Sequence, residues 1–226
     1  MTCTKCPKIR FLPTRKKERA AALNEALKKL YPNAVCALEF AGDPFLLLVM
    51  ARLSAQCTDK RVNEVAPVLF DRFPDVFAMQ KAPLELLEEI IRPCGLYHAK
   101  ARQILQMCDE LICRHGGIVP RTKKELMALS GVGEKIANLM LGDVFNDPQI
   151  VADTHCIRLA QRFLLTKASD PHRVTRDLEA LIPKEDRADF CHRIITLGRE
   201  ACRAQRPLCE SCPLMALKMN KTHTLL

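Results

Sequence analysis

Apolar positions recur at helical spacing along nearly the whole chain, and no segment sustains the alternation of a half-buried strand. Residues 16–30 place Ala20, Leu23, Leu27 and Leu30 on one face and stop before Pro32. Asp43 followed by Pro44 reads as an N-cap with proline in the first turn, opening a helix over 45–55. Helices are expected over 59–73 and over 84–91, the second ending ahead of Pro93. Residues 98–114 carry Ala101, Leu105, Cys108 and Ile112 on one stripe and end at Gly116 and Gly117. Thr122 and Glu125 form a capping box for a short helix through Leu129. Segments 134–145, 153–165, 171–181 and 185–200 complete an all-α chain, with its best candidate boundary at Asn146, Asp147 and Pro148.

The most informative stretch is 129–142, LSGVGEKIANLMLG, followed by ADTH at 152–155. Gly131 and Gly133 are expected to supply positive φ and close backbone approach in a hairpin. The hairpin N–H groups, with the first turn of the next helix, would then point together at an anion such as a DNA phosphate. Lys135 falls in that first turn, where the helix dipole disfavours a cation. For stability alone a lysine is a poor choice there. As an amine nucleophile it gains from the same field. Asp153, before Thr154 and His155, reads as the N-cap of the following helix.

Composition narrows the partner. The 226 residues are 48% hydrophobic and 27% charged, as in ordinary globular proteins, and the net charge of +9 suits a polyanion. With no Trp and two Tyr, a platform for stacking single-stranded bases is poorly supplied, and a duplex held by its backbone fits better. No run approaches the roughly 18 apolar residues of a membrane span, and MTCTKCPKIRF at the start lacks the apolar core of a secretory signal. Of twelve cysteines, most are scattered through helical patterns like small buried hydrophobes. Only Cys3 with Cys6, and Cys202 with Cys209 and Cys212, cluster as metal ligands do. The expected location is the cytoplasm, at the nucleoid in a bacterium.

Hairpin glycines, a lysine two positions on and an aspartate at the next helix start together resemble the helix-hairpin-helix DNA glycosylases, most closely the endonuclease III branch. LSAQCTDKRVNEV at 53–65, CGLYHAKA at 94–101, FCHRIITLGREAC at 190–202 and the cysteine-rich tail match in order. The resemblance implies two helical lobes, 37–147 with the helix-hairpin-helix, and 1–36 plus 148–226, with the active site in the cleft between them. It implies a monomeric enzyme that excises an oxidised pyrimidine from double-stranded DNA and cuts the strand at the abasic site. Lys135 would be the Schiff-base nucleophile and Asp153 the carboxylate that assists it. Gln56 and Leu96 would enter the duplex as the damaged base leaves the stack. Without the resemblance, Leu96 reads as core and Gln56 as a surface polar residue. His155 would contact phosphate, Asp59 also matches a position near the site, and Ser130 stands where the family usually has proline.

The tail departs from the resembled pattern. Cluster-bearing members use Cys-x6-Cys-x2-Cys-x5-Cys, and here Cys202, Cys209 and Cys212 fill three places while Lys218 occupies the fourth. A [4Fe–4S] cluster is expected on those three thiolates, with Cys3, Cys6 or His223 as substitutes for the fourth. Rival readings are a glycosylase for a mismatched or alkylated base and a non-catalytic helix-hairpin-helix module. Phosphate binding needs neither Lys135 nor Asp153, so their pairing argues against the module.

Overall fold

The structure, a computed structural model, describes residues 12–215, and within them every regular element is helical. The chain divides into two compact units, 36–147 and 1–35 with 148–226.

The 36–147 unit begins with α2 (Pro44–Leu53), whose N-cap Asp43 accepts from Phe45 N at 2.7 Å and Leu46 N at 3.1 Å. Its residues are apolar almost all round, and Leu47, Leu48, Val49 and Met50 are fully buried, so α2 is the central helix of this core. Helices α3 (Asp59–Arg72) and α6 (Tyr97–His115) pack on it, α5 (Leu84–Ile91) packs on α3 and α6, and a short α4 (Val76–Gln80) packs on α6. Helix α4 has no counterpart in the sequence reading. Five residues are too few to show a period, and the turn rests on the Asp75 cap and on buried Val76 and Met79.

Helix α6 ends as its two glycines predict: Gly116 N returns to Ile112 O (3.2 Å) and Gly117 N to Leu111 O (3.0 Å). Its buried face is Lys100, Ala101, Ile104, Met107, Cys108 and Leu111, rotated from the expected stripe, and Leu105 and Ile112 lie only half-buried. Helix α7 (Lys123–Met127) carries the forward half of the expected capping box: Thr122 Oγ1 accepts from Glu125 N at 3.3 Å, and it donates to Glu125 Oε2 at 2.6 Å where the box would return to the Thr122 N–H. A tight turn leads to α8 (Glu134–Asp143), which packs on both α7 and α2.

The other unit joins α1 (Lys16–Leu30) to α9 (Thr154–Arg162), α10 (Pro171–Glu179) and α11 (Arg187–Glu200). Helix α11 packs against α1 and α9, burying Leu23 and Leu27 of α1, Leu159 of α9, and Phe190, Ile194 and Leu197 of α11. No helix among the described residues is long and apolar enough to cross a membrane.

Candidate nucleic-acid interface and active site

The turn between α7 and α8 is built from its glycines and braced from below. Gly131 lies at φ +75°, and a Cβ there would stand 2.7 Å from Arg52 Nε and 2.8 Å from Arg52 Cδ, so both the backbone conformation and the space demand glycine. Arg52 is itself fixed by Gln103, with Nε donating to Oε1 at 2.8 Å. Gly133 departs from the expectation of positive φ. It sits at φ −95°, ψ 178° as the N-cap of α8, with open space where a Cβ would be. Its lack of a side chain leaves the approach to the first turn clear, and conformational freedom plays no part.

Val132 N closes the turn onto Leu129 O (3.1 Å), and Ser130 N donates to Glu110 Oε2 of α6 at 2.6 Å. The proline usual in the family has no N–H to give, so the serine gains a tie to α6 that proline could not make. Glu134 pairs with Lys123 across the hairpin at 2.6 Å. Lys135, the next residue, is exposed in the first turn of α8.

Gln56 and Leu96 occupy two loops of this same unit. Both are exposed, Leu96 to 57%, and both have left-handed backbones, φ 54° and 49°. The exposure removes the reading of Leu96 as core. Asp59 opens α3, behind a Thr58 cap that accepts from Arg61 N at 3.3 Å.

Asp153 and His155 belong to the other unit. Asp153 is the N-cap of α9, its Oδ1 accepting from Cys156 N at 2.7 Å, which sets the carboxylate's direction. His155 Nδ1 lies 3.1 Å from Arg158 Nη2. A guanidinium only donates, so Nδ1 is the acceptor in this contact. Gly198 of α11 makes room for this pair: a Cβ would fall 3.0 Å from His155 Nδ1 and 3.1 Å from Arg158 Nη2.

The cysteine loop is held by arginines that sequence reasoning did not single out. Arg158 Nη2 donates to Gly198 O and Cys202 O, both at 3.1 Å. Arg162, 4% exposed, donates to Cys202 O (3.0 Å), Cys202 Sγ (3.1 Å), Arg203 O (2.7 Å) and Ala204 O (3.1 Å). Cys202, Cys209 and Cys212 are half-buried, yet no three of the described His, Cys, Asp or Glu residues are grouped to hold a metal ion. Soft thiolates are the right donor type for iron, but as placed these three do not come together as a metal-binding group. Cys3, Cys6, Lys218 and His223 lie outside the described residues. Cys191 is 1% exposed and accepts from Val151 N at 3.2 Å, a packing role.

Two short helices joined by a glycine turn, with an exposed lysine just past it, define a helix-hairpin-helix protein. The family model described as HhH-GPD superfamily base excision DNA repair protein matches residues 49–184, and the chain belongs to that superfamily. It is similar to endonuclease III of Synechocystis sp., 44% identical over 203 residues that cover 89% of this chain and 92% of the relative. Endonuclease III of Bacillus subtilis is 40% identical, covering 83% of this chain and 86% of its own. Among solved structures, a trapped endonuclease III–DNA covalent intermediate superposes with a TM-score of 0.84 at 41% identity, covering 90% of this chain and 95% of that one. A thermostable thymine-DNA glycosylase, at 19% identity and a TM-score of 0.77, shares the fold.

Proposed function

We infer that this chain is a bifunctional DNA glycosylase and AP lyase of base excision repair, acting on double-stranded DNA that carries a damaged base or an abasic site. The carrying observation is Lys135, exposed beside an open hairpin in a chain 41% identical to an endonuclease that was trapped covalently on DNA. We assign oxidised pyrimidines as the substrate and the cytoplasm as the place of action, with the monomer as the working unit.

In this reading the hairpin N–H groups bind a phosphate, and Gln56 and Leu96 fill the gap left by the displaced nucleotide. Lys135 Nζ, as the free amine, attacks C1′. The C1′–base bond breaks and the base leaves with one amine proton; the C1′–O4′ bond then breaks, O4′ takes the other amine proton, and the opened sugar is left as an imine on Nζ. A proton then leaves C2′ for solvent, and the C3′–O bond breaks to release the 3′ phosphate. Asp153 has one oxygen committed to its cap, and the other stabilises positive charge developing on the sugar.

A [4Fe–4S] cluster on Cys202, Cys209 and Cys212 is the cofactor proposal that the spacing supports. It requires the three thiols to converge and a fourth ligand to come from Cys3, Cys6 or His223. No step above uses it.

Borohydride trapping on thymine-glycol and abasic duplexes tests the assignment. A covalent adduct is expected with the unaltered protein and none with Lys135→Ala or Lys135→Gln, both of which keep duplex binding. An adduct of undiminished yield from either variant would make another amine the nucleophile. A panel of mismatched and alkylated duplexes separates the rival substrates, and excision confined to those would replace oxidised pyrimidines.

A further inference from the structure

One buried lysine ties the two exposed loops of the 36–147 unit together from beneath. Lys100, in the first turn of α6, is 0% exposed, and its Nζ donates to Leu53 O at 2.8 Å and to Cys94 O at 2.9 Å. Leu53 is the last residue of α2, three before Gln56, and Cys94 ends the 3-10 turn Arg92–Cys94, two before Leu96. The thiols of Cys57 and Cys94, one from each loop, also lie near enough to influence one another's charge.

The charge has no structural excuse. Among the described residues no carboxylate bonds Lys100, and its ammonium faces main-chain carbonyls, the two thiols and the Arg52 guanidinium. Burial lowers the pKa of Lys100, and burial with the neighbouring Cys57 pushes the Cys94 thiol up to about 11, so that thiol stays neutral and offers no counter-charge. An apolar side chain of equal length would pack there without the desolvation cost of an ammonium. What an apolar chain could not do is hold two separate carbonyls at one point. Those carbonyls sit just ahead of two non-glycine residues kept in the left-handed region, a conformation that persists only when the surroundings impose it.

We propose that Lys100 is a positioning residue, fixing the spacing of the Gln56 and Leu96 loops so that both side chains enter the duplex in register. This rests on the assignment of Gln56 and Leu96 made above. Lys100 touches neither DNA nor the reacting atoms, and it acts through the backbone of the residues that do.

The test compares Lys100→Met with Leu96→Ala in the full chain. The substrates are a lesion paired in a duplex, the same lesion in a bulge, and a duplex with 2-aminopurine opposite the lesion. For Lys100→Met, single-turnover excision of the paired lesion is expected to fall about 30-fold or more, and that of the bulged lesion about 3-fold or less, because a bulged base has already lost its stacking. The fluorescence rise of 2-aminopurine on binding disappears, while affinity for undamaged duplex holds. Lys100→Gln, with two N–H donors and no charge, recovers part of the paired-lesion rate.

Equal losses on paired and bulged lesions in Lys100→Met, with the split present in Leu96→Ala, would overturn the role of Lys100 alone. A missing split in Leu96→Ala would overturn the assignment of the loops themselves. If Lys100→Met does not fold, hydrogen exchange on the unaltered protein decides. The amides of 54–57 and 94–97 are expected to open together, and independent opening of the two loops refutes the tie.

Discussion

Gly131 and Gly133 are two residues apart in one turn, yet the structure predicts opposite consequences for replacing them. Gly131→Ala forces an L-residue to φ +75°, at about 1–2 kcal/mol. It also drives a methyl to within 2.7 Å of Arg52 Nε, so Arg52 must move and its bond to Gln103 is lost, for about 1 kcal/mol more. The sum, about 2–3 kcal/mol, corresponds to a fall of about 4–12 °C in Tm for a chain of this size. Gly133→Ser meets open space at an ordinary backbone conformation, and serine is at least as good an N-cap as glycine, so stability should hold within about 0.5 kcal/mol. Its hydroxymethyl, however, stands where a phosphate would approach α8, and affinity for duplex should drop. Urea melts and duplex binding on both variants read the two effects separately. An unchanged midpoint for Gly131→Ala, or a loss in Gly133→Ser as large as that in Gly131→Ala, would refute the account of the turn.

Three further outcomes are expected. Asp153→Asn keeps the α9 cap, since asparagine caps as well as aspartate, so its melt should match the unaltered protein while excision falls by orders of magnitude; unaltered excision would leave Asp153 a cap and nothing more. Burial pushes the Asp186 carboxyl up, but hydrogen bonds from Lys28 (2.8 Å) and Asn24 (2.7 Å) outweigh it and hold its pKa below the usual value. Its contribution is therefore complete above the unfolded carboxylate pKa of about 3.9 and lost as pH falls through the lower folded value, so Asp186→Asn should flatten the acid limb of a stability–pH curve and leave its shape near neutrality alone. Protein purified without oxygen is expected to carry iron and sulfide, and Cys209→Ser to lose both; folded, active, iron-free protein would dispose of the cluster.

What the sequence made legible was whatever is written locally. Helix α1 runs over the predicted residues because its apolar spacing and its stop at Pro32 sit in one segment. The caps at Asp43, Thr122 and Asp153 were readable because capping chemistry spans only three or four residues. Helix α4 was not, being shorter than the period that reveals a helix. Gly133 was misjudged because glycine at an N-cap and glycine at a positive φ look alike in sequence. The bracing under the site was invisible for another reason. A lysine in a stretch such as HAKARQ reads as solvated, and only tertiary packing reveals that Lys100 is buried against two carbonyls. Glu110 beneath Ser130, and Arg158 and Arg162 over the cysteine loop, are likewise long-range partners that no local pattern announces.

Helix α9 begins at the Asp153 cap and ends at Arg162, whose guanidinium grips the backbone of residues 202–204. Nine helical residues make a rod about 13 Å long, too short to bend appreciably. Any shift of that rod along its axis that suits the cysteine loop therefore displaces the carboxylate by the same amount. The two ends cannot drift independently over evolutionary time. Insertions and deletions should be purged from the helix itself. A designer who wishes to replace the cysteine loop must keep the Arg158 and Arg162 acceptors in place, or re-aim the aspartate at the far end.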